Sequence, residues 1–114
     1  MAADNMVIML KALDGLAARA TVVAQNIANA GTPNYRPLRL SFEQALREAA
    51  GAGNEAVRSV SASVERVAPG ASEGRQRLDL ELATASTTAL RYGALIDVLG
   101  RQMRLESLAV TGNS

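Results

Sequence analysis

The 114-residue chain has no cysteine and no histidine. That removes disulfides, the usual nucleophile–base triads, and imidazole or thiolate metal sites. Tryptophan is also absent, and the only aromatics are Tyr35, Phe42 and Tyr92. A compact core normally draws on more large side chains, and a chain of this length alone buries only a modest share of its surface. Lysine occurs once, as Lys11, and the net charge is +1. This balance argues against a nucleic-acid or anionic-membrane surface. No apolar run is long enough to span a bilayer. The short run at 6–10 follows Asp4 rather than a basic stretch, so no cleaved signal peptide is expected.

What the chain does have is alanine, leucine and heptads. Met9, Leu13, Leu16, Ala20, Val23 and Ile27 alternate spacings of four and three, the seam of a coiled coil. This predicts a helix over about 4–30, capped by Asp4 or Asn5. Ile8, Leu10, Ala12, Ala17, Ala24 and Ala28 lie off the seam and are also apolar or small, so contacts on more than one side are expected. Gly15 is a mild cost inside that helix. A second row, Leu82, Ala85, Ala89, Tyr92, Ile96, Leu99 and Met103, predicts a matching helix over about 79–108, with Asp79 as N-cap. The two rows are expected to face each other in an antiparallel pair. Ser86, Gly93, Gly100 and Ser107 recur every seven residues and form a candidate line of close contact between subunits.

Between the helices the pattern breaks. Gly31, Thr32-Pro33 and Pro37 stop the first helix, with Gly31 at the expected left-handed position after it and Asn34 at a left-handed turn position. Leu38-Arg39-Leu40 is expected to be briefly extended. Ser41 and Gln44 have capping-box spacing for a short helix to about 50, ended by Gly51-Ala52-Gly53-Asn54. The stretch 55–67 fits both a helix face and a strand, with a lean to extended. A loop is expected at 69–74 and a frayed tail at 111–114.

The stretch Asn26-Ile27-Ala28-Asn29, then Thr32-Pro33-Asn34-Tyr35 and Arg36, resembles the N-terminal signature of bacterial flagellar axial proteins, with Asn34 where that family usually has Gly. Asn tolerates positive φ almost as well. Leu78-Asp79-Leu80-Glu81-Leu82-Ala83 followed by Ala89-Leu90-Arg91-Tyr92-Gly93-Ala94-Leu95 is similar to the C-terminal signature of the proximal members of the flagellar basal-body rod family. The resemblance covers 1–36 and 78–110 and leaves the centre out. It implies an all-α subunit in three parts: an axial helix with its signature turn (1–36), a variable middle of short helix and irregular or extended chain (37–77), and a second axial helix with tail (78–114). It implies a structural role in the periplasmic rod of the flagellum. Export would run through the flagellar type III apparatus, and the helices would pair as an antiparallel coiled coil in a helical assembly. The implied partners are further copies, other rod proteins, the ring–rod adaptor and the membrane ring. No catalysis, cofactor, metal, nucleic acid or small-molecule substrate is implied. A soluble helical adaptor or export chaperone, masking a partner's amphipathic helix, is the alternative. For an enzyme the available acid–base groups would be Asp79, Glu81, Asp97 and Tyr35.

Overall fold

Two long helices and a small mixed segment make up the chain in its computed structural model, which describes residues 1–69 and 74–112. Helix α1 spans Asn5–Ala28, strand β1 Leu38–Ser41, helix α2 Glu43–Ala52, helix α3 Asn54–Arg58, strand β2 Ser63–Arg66 and helix α4 Gly74–Gly112. The strands pair antiparallel, Leu38 opposite Arg66 and Ser41 opposite Ser63. Positions 70–73 of the loop expected at 69–74, and 113–114 of the expected tail, lie outside the described residues.

Helix α4 packs along α1 and runs the other way. Arg77, in its first turns, bonds to carbonyls just past the end of α1. Leu95, further along, packs on the cluster around Leu16. The molecule measures 63 × 25 × 14 Å. At 1.5 Å per residue α4 is about 58 Å long and α1 about 36 Å, so the C-terminal part of α4 outruns its partner. Every described residue from Met103 onward is exposed.

The core gathers where α1 meets the middle segment. Leu16, Leu40, Phe42, Leu46 and Val57 form one buried cluster. Four of the five come from the segment between the long helices, so that segment supplies the core that the scarcity of aromatics seemed to deny. Phe42 is its largest member, and Gly15 makes room for it. A Cβ on Gly15 would stand 2.6–2.7 Å from three atoms of the Phe42 ring. The glycine that costs the helix propensity is therefore where the ring seats. Arg19, one turn further on, holds the same corner from above. Its guanidinium lies 5.0 Å from the Phe42 ring centroid and grips Glu43 with two hydrogen bonds of 2.6 and 2.7 Å. It also donates to the Leu40 carbonyl at 3.0 Å.

Several expected boundaries move, each for a visible reason. Ser41 stays in β1, opposite Ser63, and the N-cap of α2 is Phe42, whose side chain must enter the core. Its N–H donates to the Glu43 carboxylate, and Gln44 takes no part in a capping box. The stretch 55–67 divides: α3 buries Val57 completely, and β2 takes Val64 onto an exposed strand. Asp79 is not an N-cap, because α4 already starts at Gly74. Thr111 and Gly112, expected in a frayed tail, are still helical. Asp4 does cap α1 in position, but its carboxylate accepts from the Asn54 side chain at 3.0 Å instead of from the helix. The Asp4 N–H in turn donates to Asn54 Oδ1 at 2.7 Å, which closes the start of α1 onto α3.

Two glycines separate the propensity effect from the packing effect. Gly15→Ala should lower stability by about 1–2 kcal/mol, because overpacking against Phe42 outweighs the helix propensity gained. Gly51→Ala, with nothing within 4 Å of the new methyl, should instead raise it by up to about 1 kcal/mol. Urea unfolding followed by circular dichroism reads both signs.

The Arg19–Glu43 pair makes a pH prediction. Its hydrogen bonds from Arg19 lower the Glu43 carboxyl from 4.5 to about 2 against the opposing cost of burial. The stabilisation is therefore present above pH 4.5 and is lost as pH falls through about 2. Glu43 is 42% exposed, so solvent screening holds the gain to about 1 kcal/mol. Glu43→Gln should be less stable than the parent at pH 7, and the two unfolding curves should converge near pH 2.

Candidate functional site

The end of α1 is built around one buried amide. Asn26 is 1% exposed and uses its whole hydrogen-bonding capacity. Its Oδ1 accepts from the Tyr35 hydroxyl and from the Leu38 N–H, both at 2.9 Å. Its Nδ2 donates to the Leu38 carbonyl at 2.8 Å and to Glu81 Oε2 at 3.1 Å. One side chain thus stands in for a strand partner of Leu38, orients Tyr35, and ties α1 to α4.

The other residues of the signature shape the path between these anchors. Asn29 ends α1, with its Nδ2 on the Gln25 carbonyl and its Oδ1 receiving the Thr32 hydroxyl. The Thr32 N–H returns to the Asn29 carbonyl at 3.0 Å and the Tyr35 N–H to the Thr32 carbonyl at 3.2 Å. Asn34 has φ 64°, the left-handed conformation expected of it. Gly31 does not: the helix ends at Asn29 without a left-handed cap, and its carbonyls are satisfied by other means. Pro33 is exposed, Ile27 is half-buried and Ala28 faces outward. Arg36 donates from Nε to the Val67 carbonyl at 2.9 Å, which joins the turn to the end of β2.

Those other means are Arg77. This arginine, 6% exposed, reaches from α4 to the carbonyls of Tyr35, Asn29 and Ala30, with its guanidinium over the Tyr35 ring. A cation at the C-terminal end of a helix meets the negative end of the dipole as well as the orphan carbonyls. Neither Arg77 nor Arg19 stands out in sequence, since each partner lies tens of residues away. Phe42 opposite Gly15 was equally hidden.

Arg77 and Glu81 also set the rotation of α4. Both must point at the end of α1, and they lie four apart on one face. Continuing that face brings Thr88, Leu95 and Leu99 toward α1, and of these Thr88 and Leu99 are buried. The heptad row expected to pair is turned about 70° away, counting 100° per residue. Leu82, Ala89, Tyr92, Ile96 and Met103 are exposed, and so is Ala20 on α1. Within the subunit only Leu13, Leu16, Val23 and Leu99 of the two rows are buried, Met9, Ile27 and Ala85 partly so. The rows meet across an open cleft of about 510 Å³, lined by Leu16, Ala20, Val23 and Ile27 on one side and Ala85, Ala89 and Tyr92 on the other.

The small-residue line runs beside this cleft. Gly93 lines it and would have nothing within 4 Å of an added methyl. Gly100 is half-buried, next to the Arg104 guanidinium, and Ser86 and Ser107 are exposed. Among the described residues Ser86, Gly93 and Ser107 of the line are exposed. The candidate acid–base groups are scattered. Tyr35 and Glu81 both bond to Asn26, whereas Asp79 and Asp97 are exposed. Among the described residues no group of acidic side chains could hold a metal, and no helix is long and apolar enough to cross a membrane.

Asn26→Asp keeps size and acceptor while removing both donations and placing a carboxylate beside Glu81. It should cost about 2–4 kcal/mol, with the Leu38 carbonyl left without its partner. Tyr35→Phe removes a single bond and should cost about 1 kcal/mol. Denaturant unfolding of the two variants measures the difference.

No protein-family model matches this chain, and no curated protein matches it significantly, so the likeness to flagellar axial proteins rests on the residues quoted above.

Proposed function

We propose that the chain is a structural subunit of the proximal rod of the bacterial flagellar basal body. It polymerises helically with copies of itself and joins other rod proteins, the ring–rod adaptor and the membrane ring. The observation that carries this reading is the turn after α1. Asn26, Asn29, Thr32, Asn34 and Tyr35 each have a specific bond or backbone conformation there, so the motif is a working unit and not a chance string. The exposed apolar cleft supports it from a second side. A face of this kind suits burial against further helices. In the assembled state the two heptad rows would close on each other and on neighbouring helices as a coiled coil. The elongated shape, 63 × 25 × 14 Å, fits a mechanical part. Passage through the type III apparatus as an unfolded thread fits a small core of five buried residues.

The test is genetic and structural. Deleting the coding sequence from a flagellated bacterium that carries it should abolish swimming and leave no rod beyond the membrane ring. A tagged copy should restore both and purify with basal bodies. A deletion strain that swims normally overturns the proposal. A chain that remains a small oligomer bound to one export substrate would favour the chaperone reading.

A further inference from the structure

A second cavity lies between the end of α1, the small sheet and the start of α4. It measures about 450 Å³, and its ionised lining residues are Arg19, Arg39, Arg77 and Glu81. Val22, Leu40, Val67 and Leu80 supply apolar wall between them. The sheet turns one face toward it. Val67 pairs with Pro37 through its N–H, and Arg39 follows Pro37 by two, so the three side chains share a face. All three line the cavity.

The charges around it do not balance. Arg19 is spent on Glu43, which is not part of the lining. Two arginines, Arg39 and Arg77, then stand against the single carboxylate of Glu81, an excess of one positive charge. Among the described residues neither arginine has a carboxylate within ion-pair distance. Glu81 is one turn from Arg77, and Glu65 is opposite Arg39 in the sheet, yet neither closes the pair. Arg77 is 6% exposed, and its Nη atoms serve the carbonyls of Tyr35, Asn29 and Ala30, none of which lines the cavity. Its Nε is buried without a hydrogen-bond partner. A buried guanidinium with a spare donor and no counter-ion is costly until an anion completes it. Arg36 and Arg66 add like charge at the same edge, Arg36 on the Val67 carbonyl and Arg66 on the Arg36 carbonyl.

We infer that this cavity binds one carboxylate carried on a short apolar stem. Arg39 is exposed, so it stands at the rim and pairs with the carboxylate directly. Arg77 attracts the charge from within, and the stem packs on the aliphatic wall. A monoanion matches the excess of one charge, whereas a phosphate dianion would exceed it and meet Glu81. The volume is within the range of small-ligand sites. Two sources share this chemistry: a free organic acid, and a glutamate side chain of a second copy.

Butyrate is the probe, with butyramide as its uncharged isostere and sodium chloride to match ionic strength. In dilute full-length protein, the amide NMR signals of Arg39, Val67 and Leu80 should shift saturably with butyrate, with a dissociation constant on the order of 1 mM. Butyramide and chloride should leave them in place. Arg39→Gln should keep the circular dichroism of the parent and weaken butyrate binding by about tenfold or more. Sedimentation velocity then separates the sources. Larger species that form with concentration, and that both butyrate and Arg39→Gln disperse, identify a neighbour's glutamate. Sedimentation indifferent to butyrate identifies a free acid. Butyrate shifts that never saturate, as for a cavity holding water alone, overturn the inference. So does equal binding of butyramide, or undiminished binding by Arg39→Gln. The rod proposal is judged separately, by the deletion strain.

Discussion

The closure of the α1 terminus is the constraint on which the rest depends. A helix leaves its last carbonyls without partners, and the irregular stretch from Ala30 to Pro37 adds more backbone groups that no ladder satisfies. Local residues meet part of this need: Asn29 and Thr32 tie the first turn, and Asn34 supplies the one left-handed step. The remainder comes from far away. Asn26 pairs with both backbone groups of Leu38, and Arg77 covers three carbonyls from the other long helix. A turn that would otherwise be a local event is thus completed only when α4 is in place.

That dependence works in both directions. To reach the turn, Arg77 and Glu81 must occupy one face of α4, and this decides which other residues of a 39-residue helix look at α1. Hydrogen bonds are directional and costly to leave unmade, whereas apolar contact is roughly proportional to area. Two anchored polar residues therefore decide which face of α4 meets α1. The heptad row is displaced to the flank and becomes surface. The polar lock and the apolar face are two results of one geometry: precision at one end is obtained by leaving hydrophobic area uncovered along the length.

The sequence was most informative where one residue type answers one physical need. The periodic run of α1, the stop at Thr32-Pro33 and the left-handed Asn34 all follow from local rules. The extended chain at Leu38–Leu40 and a stop of α2 within 51–54 follow in the same way. Pairings across the chain were not legible. Gly15 reads as a defect until Phe42 is placed on it, and Arg77 is one arginine among many until the carbonyls it serves are known. The heptad of α4 was a true periodicity with an incomplete consequence. Periodicity identifies a stripe, but a helix with three apolar stripes does not say which one its partner takes. The stretch 55–67 failed for another reason. It holds a helix and a strand in turn, each too short for its period to emerge over the other.

The placement of the core sharpens the same point. Leu16, Leu40, Phe42, Leu46 and Val57 are gathered at one side of α1, and Arg19–Glu43 fastens that corner. This unit joins α1 to the middle segment and owes little to α4, whose contribution is Leu95 at its margin. α4 is held mainly by the polar lock at its start and by Thr88 and Leu99 along its length. From Met103 onward every described residue is exposed. Stability in such a molecule decreases along α4 from the lock to the C-terminus, and the same direction leads to its most exposed leucines. Whatever covers those leucines also completes the folding of the helix that bears them. Ordering an exposed helix end costs conformational entropy, and burial of its apolar area is what offsets that cost.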